Sequence, residues 1–353
     1  MNQSNHPFPL LNWVERPAFC VTDGCIAATN QAAEQFQLSV GTPVSTLLGE
    51  HLPAYQALTD GCLYLTLTIN GIPCGASVQH MDGFDLFLIE QSNEQLRALA
   101  LAAQHLRVPL SNVMVASDRL FAQLDQLESA VQVDHINQGL YQILRIIGNM
   151  SDADKYQASA PISMQTINFT AIADEVMEKA QTMTEGTGVT IAYTGLNEPV
   201  LGLANSEQIQ RAFYNLLSNA IKFTAAGQTV TVKLGKVNHQ LSFIVSNPSA
   251  AESSGDLFAC YRRTAGFGNS NTGVGLGLTL VKAAATAHGG TLLMDRPDEK
   301  HIRFTMTVAI RKEASSGNVH TPMVRIGDYA GGRDMGLLEL SEVLEHSHYH
   351  KIN

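Results

Sequence analysis

The sequence predicts a multidomain α+β protein with a small α/β domain, an antiparallel helical hairpin and a larger α/β sandwich. Three observations predict this division. Short apolar strands broken by Asp-Gly and Asn-Gly pairs fill residues 8–90, leucines in steps of three and four mark helices over 92–150, and helices alternate with strands over 167–311. The chain has 353 residues, enough for two or three domains with their own cores. Polar residues 151–166 predict a linker, and residues 312–353 predict a C-terminal extension.

The composition is that of a globular protein without a membrane span. Hydrophobic residues make up 45% of the chain and charged residues 15%, and the net charge is −10. This acidic balance argues against nucleic acid or an anionic membrane surface as the main partner. No apolar run approaches the roughly 20 residues that cross a bilayer, and the polar start, residues 1–5, does not resemble a leader. We therefore expect a cytoplasmic protein.

The five cysteines predict neither a disulfide framework nor a zinc site. They show no Cys-x-x-Cys pair and no zinc-ligand spacing. Thiols in a reducing compartment are the simpler interpretation for all of them: Cys20, Cys25, Cys62, Cys74 and Cys260.

The first domain begins with a predicted hairpin and ends with three predicted strands. "AFCVTDGCIAATN" turns at Asp23-Gly24, and "CLYLTLTING" places Leu63, Leu65 and Leu67 on one face before its own Asn-Gly turn. Together with "ATNQAAEQF", this order resembles a PAS sensor domain, which implies a small ligand or signal. The alternative is an unrelated α/β adaptor.

The middle of the chain predicts two helices with apolar seams. A hairpin this thin cannot bury both of its faces alone, so the sequence predicts a homodimer through residues 92–150, with a four-helix bundle at its centre. Pro109 lies inside the first helix, where proline costs about 3 kcal/mol and kinks the helix. The predicted seam of the first helix is Leu96, Leu99, Ala103, Leu106, Leu110, Val113, Leu120, Leu124 and Leu127, and that of the second is Ile136, Leu140, Ile143 or Leu144, and Ile147.

A glycine-rich turn precedes the last predicted helix of the sandwich. In "NTGVGLGLTLVKAAATAHGG", Gly273, Gly275 and Gly277 alternate just before the helix. Glycines let the backbone approach phosphate oxygens, and a helix N-terminus offers unpaired N–H groups. The turn is not a Walker A loop, because no Gly-Lys-Ser/Thr follows, and it does not follow the first strand of a Rossmann unit.

A second motif strengthens the interpretation of the glycine turn. "NLLSNAIKFT" places Asn215, Asn219 and Lys222 on one face of a helix. Amide oxygens suit Mg²⁺, and a lysine can neutralise a phosphate. The alternative is an amphipathic helix whose polar face meets only water. The glycine turn downstream favours the phosphate-binding interpretation over this alternative.

These two motifs resemble the catalytic domain of sensor histidine kinases, in the ATPase superfamily of gyrase B and Hsp90. "NLLSNAIKFT" looks like the N box, "GVGLGL" like the G2 box and "LFACYRR" (257–263) like a degraded F box. The resemblance implies a GHKL (Bergerat-type) α/β sandwich that binds ATP and Mg²⁺. It also implies a two-component system with a response regulator as partner.

The resemblance assigns a role to each motif residue. Asn219 would ligate Mg²⁺, Lys222 would contact phosphate, and the three glycines would hold the triphosphate under a lid over 262–272. Hydrolases of the superfamily have a glutamate base at the position of Asn215, whereas the kinases have asparagine, which fits transfer to a side chain. The family's G1 box has an aspartate that binds adenine, and here Asn247 stands at that position. A neutral acceptor forms a weaker bond, by about 1 kcal/mol, so we expect weakened ATP binding.

The phosphoacceptor motif of the family is altered. In "QHLRVPL", Gln104 occupies the position of the acceptor histidine and His105 that of the following acid. Glutamine cannot form a stable phosphoamidate, whereas a neutral imidazole is a competent nucleophile. His105 is thus either a substitute phosphoacceptor or a surface histidine without a role.

Two functions therefore stay open. One is a sensor histidine kinase that passes phosphate from ATP to a bundle histidine and then to a response regulator. The other is a pseudokinase or scaffold that binds nucleotide and a regulator or another kinase without transfer. Nucleotide hydrolysis is a weaker third. In the extension, His346, His348 and His350 alternate, which predicts either a solvated tail or a metal site.

Overall fold

The structure is a computed structural model that describes residues 11, 14–90, 94–121, 127–157, 162–248, 277–311 and 333–349. Within these residues, no helix combines the length and the apolar character that a bilayer crossing needs.

An antiparallel five-stranded sheet forms the first part of the chain. Its strand order is β2 (Cys25–Thr29), β1 (Ala18–Thr22), β5 (Phe84–Ile89), β4 (Ile72–Met81) and β3 (Cys62–Ile69). Its core includes the rings of Phe19 and Phe87, which stack with centroids 4.6 Å apart. Asp23 and Gly24 make the predicted tight turn with φ angles of 49° and 73°. Between β2 and β3 the chain also forms the helices α1 (Ser45–Leu48) and α2 (Leu52–Gln56).

Two long helices follow, α3 (Glu94–Phe121) and α4 (Leu127–Gln157), and they pack against each other. Within this single chain the predicted seam is divided between buried and exposed residues. Its residues Ala103, Leu110, Leu140, Leu144 and Ile147 are buried, whereas Leu106, Val113, Ile136 and Ile143 are exposed. The inner face of α3 continues instead at Met114, four residues after Leu110, so the apolar residues are divided between two faces of the pair.

The predicted linker is wrong for residues 151–157, which form the last two turns of α4. Ser151 and Asp152 are buried there, and Asp152 forms an ion pair with Arg211 of the following domain. A polar composition predicted a loop, but a buried ionic partner stabilises these polar residues in a helix.

The larger sandwich consists of a sheet against which three helices pack. Its strand order is β11 (Leu292–Asp298), β12 (His301–Ala309), β10 (Gln240–Pro248), β9 (Thr229–Val237) and β7 (Thr190–Thr194). β7 runs parallel to β9, and the other neighbours are antiparallel. The rings of Phe213 and Phe243 stack at 3.9 Å in its core. The sandwich also contains β6 (Gln165–Asn168), α5 (Phe169–Thr184), β8 (Leu201–Ala204), α6 (Ser206–Lys222) and α7 (Gly277–Ala287), with β6 and β8 forming a separate pair.

The two sheets are joined into one sheet of ten strands. β3 pairs with β11, so that Tyr64 lies opposite Leu292 and Cys62 opposite Met294. Gly61, with a φ angle of 93°, lies so close to this junction that a Cβ there would collide with the carbonyl oxygen of Met294. No local pattern predicted this pairing, because the sequence of an edge strand does not indicate which distant strand it pairs with.

The last described segment, residues 333–349, is folded against α4, α5 and α6. It contains α8 (Met335–Glu339) and a 3₁₀ turn, His346–Tyr349. Tyr349 is fully buried, and its hydroxyl donates to the carbonyl of Leu337 at 2.8 Å. The prediction of a solvated tail is therefore wrong for these residues, because their apolar side chains are buried. His350 lies outside the described residues, and the described part contains no cluster of three or more metal-binding side chains.

Candidate functional site

The helix that carries the N-box motif, α6, is fixed at its first turn. The side chain of Asn205 caps it by accepting from the amide of Gln208 at 3.0 Å. The amide of Asn205 in turn donates to Nε2 of His288 at 2.9 Å, just after the end of α7. Nδ1 of His288 lies 2.7 Å from the carbonyl of Ala284 and therefore carries the proton. Burial lowers the pKa of His288, and the charge of Arg311 adds to this effect.

The predicted N-box residues lie together on α6, and one G2-box glycine contacts them. Asn215 is buried, whereas Asn219 and Lys222 are half-buried. A Cβ atom added to Gly277, the first residue of α7, would lie 2.6 Å from Oδ1 of Asn215. Any other residue at position 277 would require the Asn215 side chain or the backbone of α7 to move. Gly273 and Gly275 lie outside the described residues, as do the F-box motif and the predicted lid.

Asn247, the residue at the G1-box position, lies near the end of β10. Its side chain is buried, and its Nδ2 donates to the carbonyl of Pro248 at 3.1 Å. No described hydrogen bond joins it to the N-box residues. Its role as an adenine acceptor stays a prediction.

A buried ionic network surrounds Asn215, and sequence reasoning missed it. Glu339 of α8 is 0% exposed. Its Oε1 accepts from Nε of Arg211 at 2.9 Å, and its Oε2 accepts from Nε of Arg145 at 3.3 Å and from Nδ2 of Asn215 at 3.2 Å. Arg145 also donates from Nη2 to Oδ1 of Asn215 at 3.2 Å. Two guanidinium groups thus hold one carboxylate against the N-box amide.

The same network fixes the end of α4 to α6. Nη2 of Arg211 donates to Oδ1 of Asn149 at 2.9 Å, and Nη1 contacts Asp152. Arg211, on the first half of the N-box helix, therefore binds side chains of α4 and of α8 together. No sequence signal identifies such a set, because its members are far apart in the chain.

Lys222, the predicted phosphate contact, is paired with a carboxylate of the C-terminal segment. Its Nζ lies 2.9 Å from Oε2 of Glu342, and Nη1 of Arg145 lies 3.4 Å from Oε1 of the same carboxylate. Burial of Glu342 opposes its ionisation. The charge of Arg145 and the hydrogen bond from Lys222 outweigh this effect and lower the pKa of Glu342. The position of Lys222 is thus one where an anionic oxygen is stable.

His105 lies on α3 with its side chain exposed. The side chain of Gln104 lies outside the described part of the structure. Of the two long helices it is α4, through Arg145, that contacts Asn215. No described hydrogen bond or ion pair joins His105 to the N-box residues.

The first domain contacts the helix that begins with the G2-box glycine. Lys282 of α7 lies 3.3 Å from Oε1 of Glu90, and its ammonium group is 4.6 Å from the ring centroid of Tyr64. The hydroxyl of Tyr64 donates to Oε2 of Glu90 at 3.0 Å. Residues at the end of the first sheet therefore meet α7 directly.

Comparison with known proteins identifies the class of this domain. Residues 204–312 match the family of histidine kinase-, DNA gyrase B- and HSP90-like ATPases. The matched region contains α6, Asn247 and the glycine turn. The domain with the N-box helix and the G2-box glycine is thus an ATPase-type domain with the GHKL α/β fold, as its motifs predicted.

About three fifths of the chain is similar to sensor histidine kinases. It is 28% identical over 214 residues to sensor histidine kinase CusS of Escherichia coli K12, covering 58% of this chain and 44% of the relative. It is 28% identical over 225 residues to histidine protein kinase DivJ of Caulobacter vibrioides, covering 61% of this chain and 36% of the relative. The predicted resemblance to sensor histidine kinases is therefore confirmed, and the chain spans less than half of either relative.

A solved structure of full-length ShkA in complex with AMPPNP is also similar. Its TM-score is 0.49 and its sequence identity 20%, over 64% of this chain and 47% of that one.

Proposed function

We propose that this chain is a sensor histidine kinase of a two-component system that binds MgATP at the N-box face of α6. The contact between Asn215 and Gly277 carries the proposal. It brings the two motifs that sequence reasoning assigned to phosphate and metal to one place, although Gly277 follows Asn215 by a long stretch of chain. The contact between Lys222 and the carboxylate of Glu342 supports the proposal, because a phosphate oxygen could take the same position.

Four residues of the site have a defined role in this proposal. Asn219 supplies an amide oxygen to Mg²⁺, which prefers oxygen ligands. Lys222 pairs with a phosphate, and Gly277 leaves room at the N-terminus of α7, where N–H groups are unpaired. Asn247 accepts from the adenine amino group. The bound nucleotide supplies the phosphoryl group for transfer.

His105 is the acceptor in this proposal. Its side chain is exposed on α3 and meets solvent, and a neutral imidazole is nucleophilic near neutral pH. An aspartate of a response regulator would receive the phosphoryl group next. The PAS-like first domain would bind the signal, and the cytoplasmic location stays a prediction.

A homodimer through the two long helices is part of the proposal. The helix pair leaves a second apolar surface uncovered, consisting of Leu106, Val113, Ile136 and Ile143, with exposed fractions of 54%, 54%, 51% and 47%. Because exposed apolar side chains on both helices are unfavourable in water, we expect a second copy of the chain to pack against them. Light scattering should give a dimer for the wild type and a monomer for Ile143→Glu. Val237→Glu, on β9 and equally apolar in the wild type, should stay dimeric, and a wild-type monomer would refute the dimer.

The kinase proposal is tested with γ-labelled ATP and Mg²⁺. The purified chain should acquire a label that resists base and is lost in acid, as a phosphohistidine does. His105→Ala and Asn219→Ala should both abolish it. His135→Ala, which removes an exposed histidine of α4, should leave it unchanged. Label that persists in His105→Ala would refute His105 as the acceptor.

The second candidate is a pseudokinase that binds nucleotide and a partner without transfer. Carboxylates on Asn215 and Lys222 favour it, as do Gln104 at the usual acceptor position and the neutral Asn247. Nucleotide binding without any acid-labile label would support this function over the first.

A further inference from the structure

The polar face of α6 is already in contact with anions of the same chain. Residues 333–349, called here the C-terminal segment, place Glu339 beside Asn215 and Glu342 beside Lys222. These two α6 residues belong to the motif assigned to Mg²⁺ and phosphate. The segment therefore engages the groups that a nucleotide would need.

The two carboxylates differ in how tightly they are held. Glu339 is fully buried between Arg145 and Arg211, and its removal would leave two buried cations short of a partner. The side chain of Glu342 is 25% exposed, and its main partner Lys222 is 20% exposed. Glu342 also lies 3.4 Å from the buried Arg145, but Arg145 keeps Glu339 as a partner, so Glu342 is the carboxylate that separates at the smaller cost.

Apolar contacts and a hydrogen bond hold the segment in place independently of these two carboxylates. Leu338 and Leu340 are fully buried, and the ring of Tyr349 lies 5.0 Å from that of Tyr141 on α4. Nε2 of Gln138 on α4 donates to the carbonyl of Leu344 at 2.8 Å. Displacement of Glu342 therefore does not require release of the whole segment.

We propose that the C-terminal segment is an autoinhibitory element that competes with MgATP for the N-box face. Glu339 anchors it beside Asn215, and Glu342 neutralises Lys222, so that phosphate must displace a carboxylate before it can pair with this lysine. This inference rests on the proposed nucleotide site. It predicts that the wild-type chain binds MgATP more weakly than its own N-box residues would allow.

The test is a titration of full-length protein with a fluorescent ATP analogue and Mg²⁺. Glu342→Gln keeps the shape of the side chain and removes its charge, and it should bind the analogue roughly three- to tenfold more tightly than the wild type. Glu345→Gln is the matched control. It removes the same charge from an exposed position of the same segment, so its affinity should equal that of the wild type.

Hydrogen exchange provides a readout that does not depend on affinity. Saturating nucleotide should speed exchange of the amides next to Glu342, residues 341–344 of the wild type, because Glu342 leaves Lys222 while Leu338 and Tyr349 stay packed. Unchanged exchange there, with binding demonstrated, would overturn the inference, as would equal affinities of Glu342→Gln and the wild type. Absence of binding in the wild type and both variants at millimolar nucleotide would instead refute the nucleotide site itself.

Discussion

The backbone amide of Asn205 donates a hydrogen bond of 2.9 Å to Nε2 of His288. This bond joins the N-cap of the N-box helix to the residues that end α7. Because α7 begins at Gly277 and Gly277 touches Asn215, both ends of α7 are held against α6, one at the N-cap of α6 and one at its middle. The imidazole accepts this bond only while Nε2 is unprotonated.

His288 should make stability depend on pH. Its pKa lies below the usual 6.5 because of burial and Arg311, so the unfolded chain binds the proton more readily. Its contribution to the free energy of unfolding is complete above about pH 6.5 and is lost as the pH falls through the folded-state pKa. Urea unfolding at pH 7.5 and 5.5 should show this loss in the wild type.

The matched variants separate His288 from other histidines. His288→Gln should lower stability at pH 7.5 and flatten its pH dependence between 7.5 and 5.5. His239→Gln, at an exposed position, should keep the wild-type dependence. An equal dependence in wild type and His288→Gln would show that His288 is not the group responsible.

Gly277→Ala should damage the contact between the two motifs. The added Cβ would lie 2.6 Å from Oδ1 of Asn215, and overpacking of this kind costs about 1–3 kcal/mol. Denaturant unfolding should show this loss, and affinity for MgATP should fall with it. The control is Gly139→Ala in α4, where a Cβ meets nothing within 4 Å. That variant should be stabilised by about 0.5–1 kcal/mol, and equal destabilisation of both would contradict the argument.

Glu339→Gln should be among the most destabilising single substitutions of the C-terminal segment. The neutral amide would leave the buried guanidinium groups of Arg145 and Arg211 without the negative charge that pairs with them. Such a loss lowers the free energy of unfolding by about 3–5 kcal/mol. Guanidinium unfolding measures this loss. Glu342→Gln should lose less stability than Glu339→Gln, because Lys222 is partly exposed and the buried Arg145 keeps Glu339 as its partner. Similar small losses in both would mean that Glu339 does not anchor the segment.

Gly61→Ala should loosen the junction between the two sheets. At this position a positive φ angle and a collision with Met294 coincide, whereas Gly71 has a φ angle of 79° with open space around it. Gly71→Ala therefore measures backbone strain alone, which costs about 1–2 kcal/mol. Hydrogen exchange in β3 and β11 should accelerate in Gly61→Ala beyond the effect of Gly71→Ala. Equal exchange in the two variants would refute the steric role of Gly61.

The local elements and the motif face were predictable from the sequence because their signals are local. The face of α6 with Asn215, Asn219 and Lys222 follows from helical spacing. All three residues lie within α6, which runs from Ser206 to Lys222. The alternating glycines Gly273, Gly275 and Gly277 are likewise visible in the sequence as a turn before a helix.

The remaining features depend on contacts between distant residues. Arg145, Arg211 and Glu339 look like solvated charges in the sequence, and only their mutual neutralisation explains their burial. The helical end of α4 was mispredicted for the same reason, and the C-terminal segment was mispredicted because its apolar side chains find a distant surface that buries them. Polar composition predicts a loop until a buried partner of opposite charge is known.

The pairing of β3 with β11 determines when the protein can complete its fold. Tyr64 cannot pair with Leu292 until the ribosome has made most of the chain. During synthesis β3 is therefore an unpaired edge strand of the first sheet. Contacts of such large sequence separation form slowly, and an unpaired edge strand is prone to associate with other chains. Yield of this protein in cells should therefore respond to the speed of translation and to chaperones that shield β3.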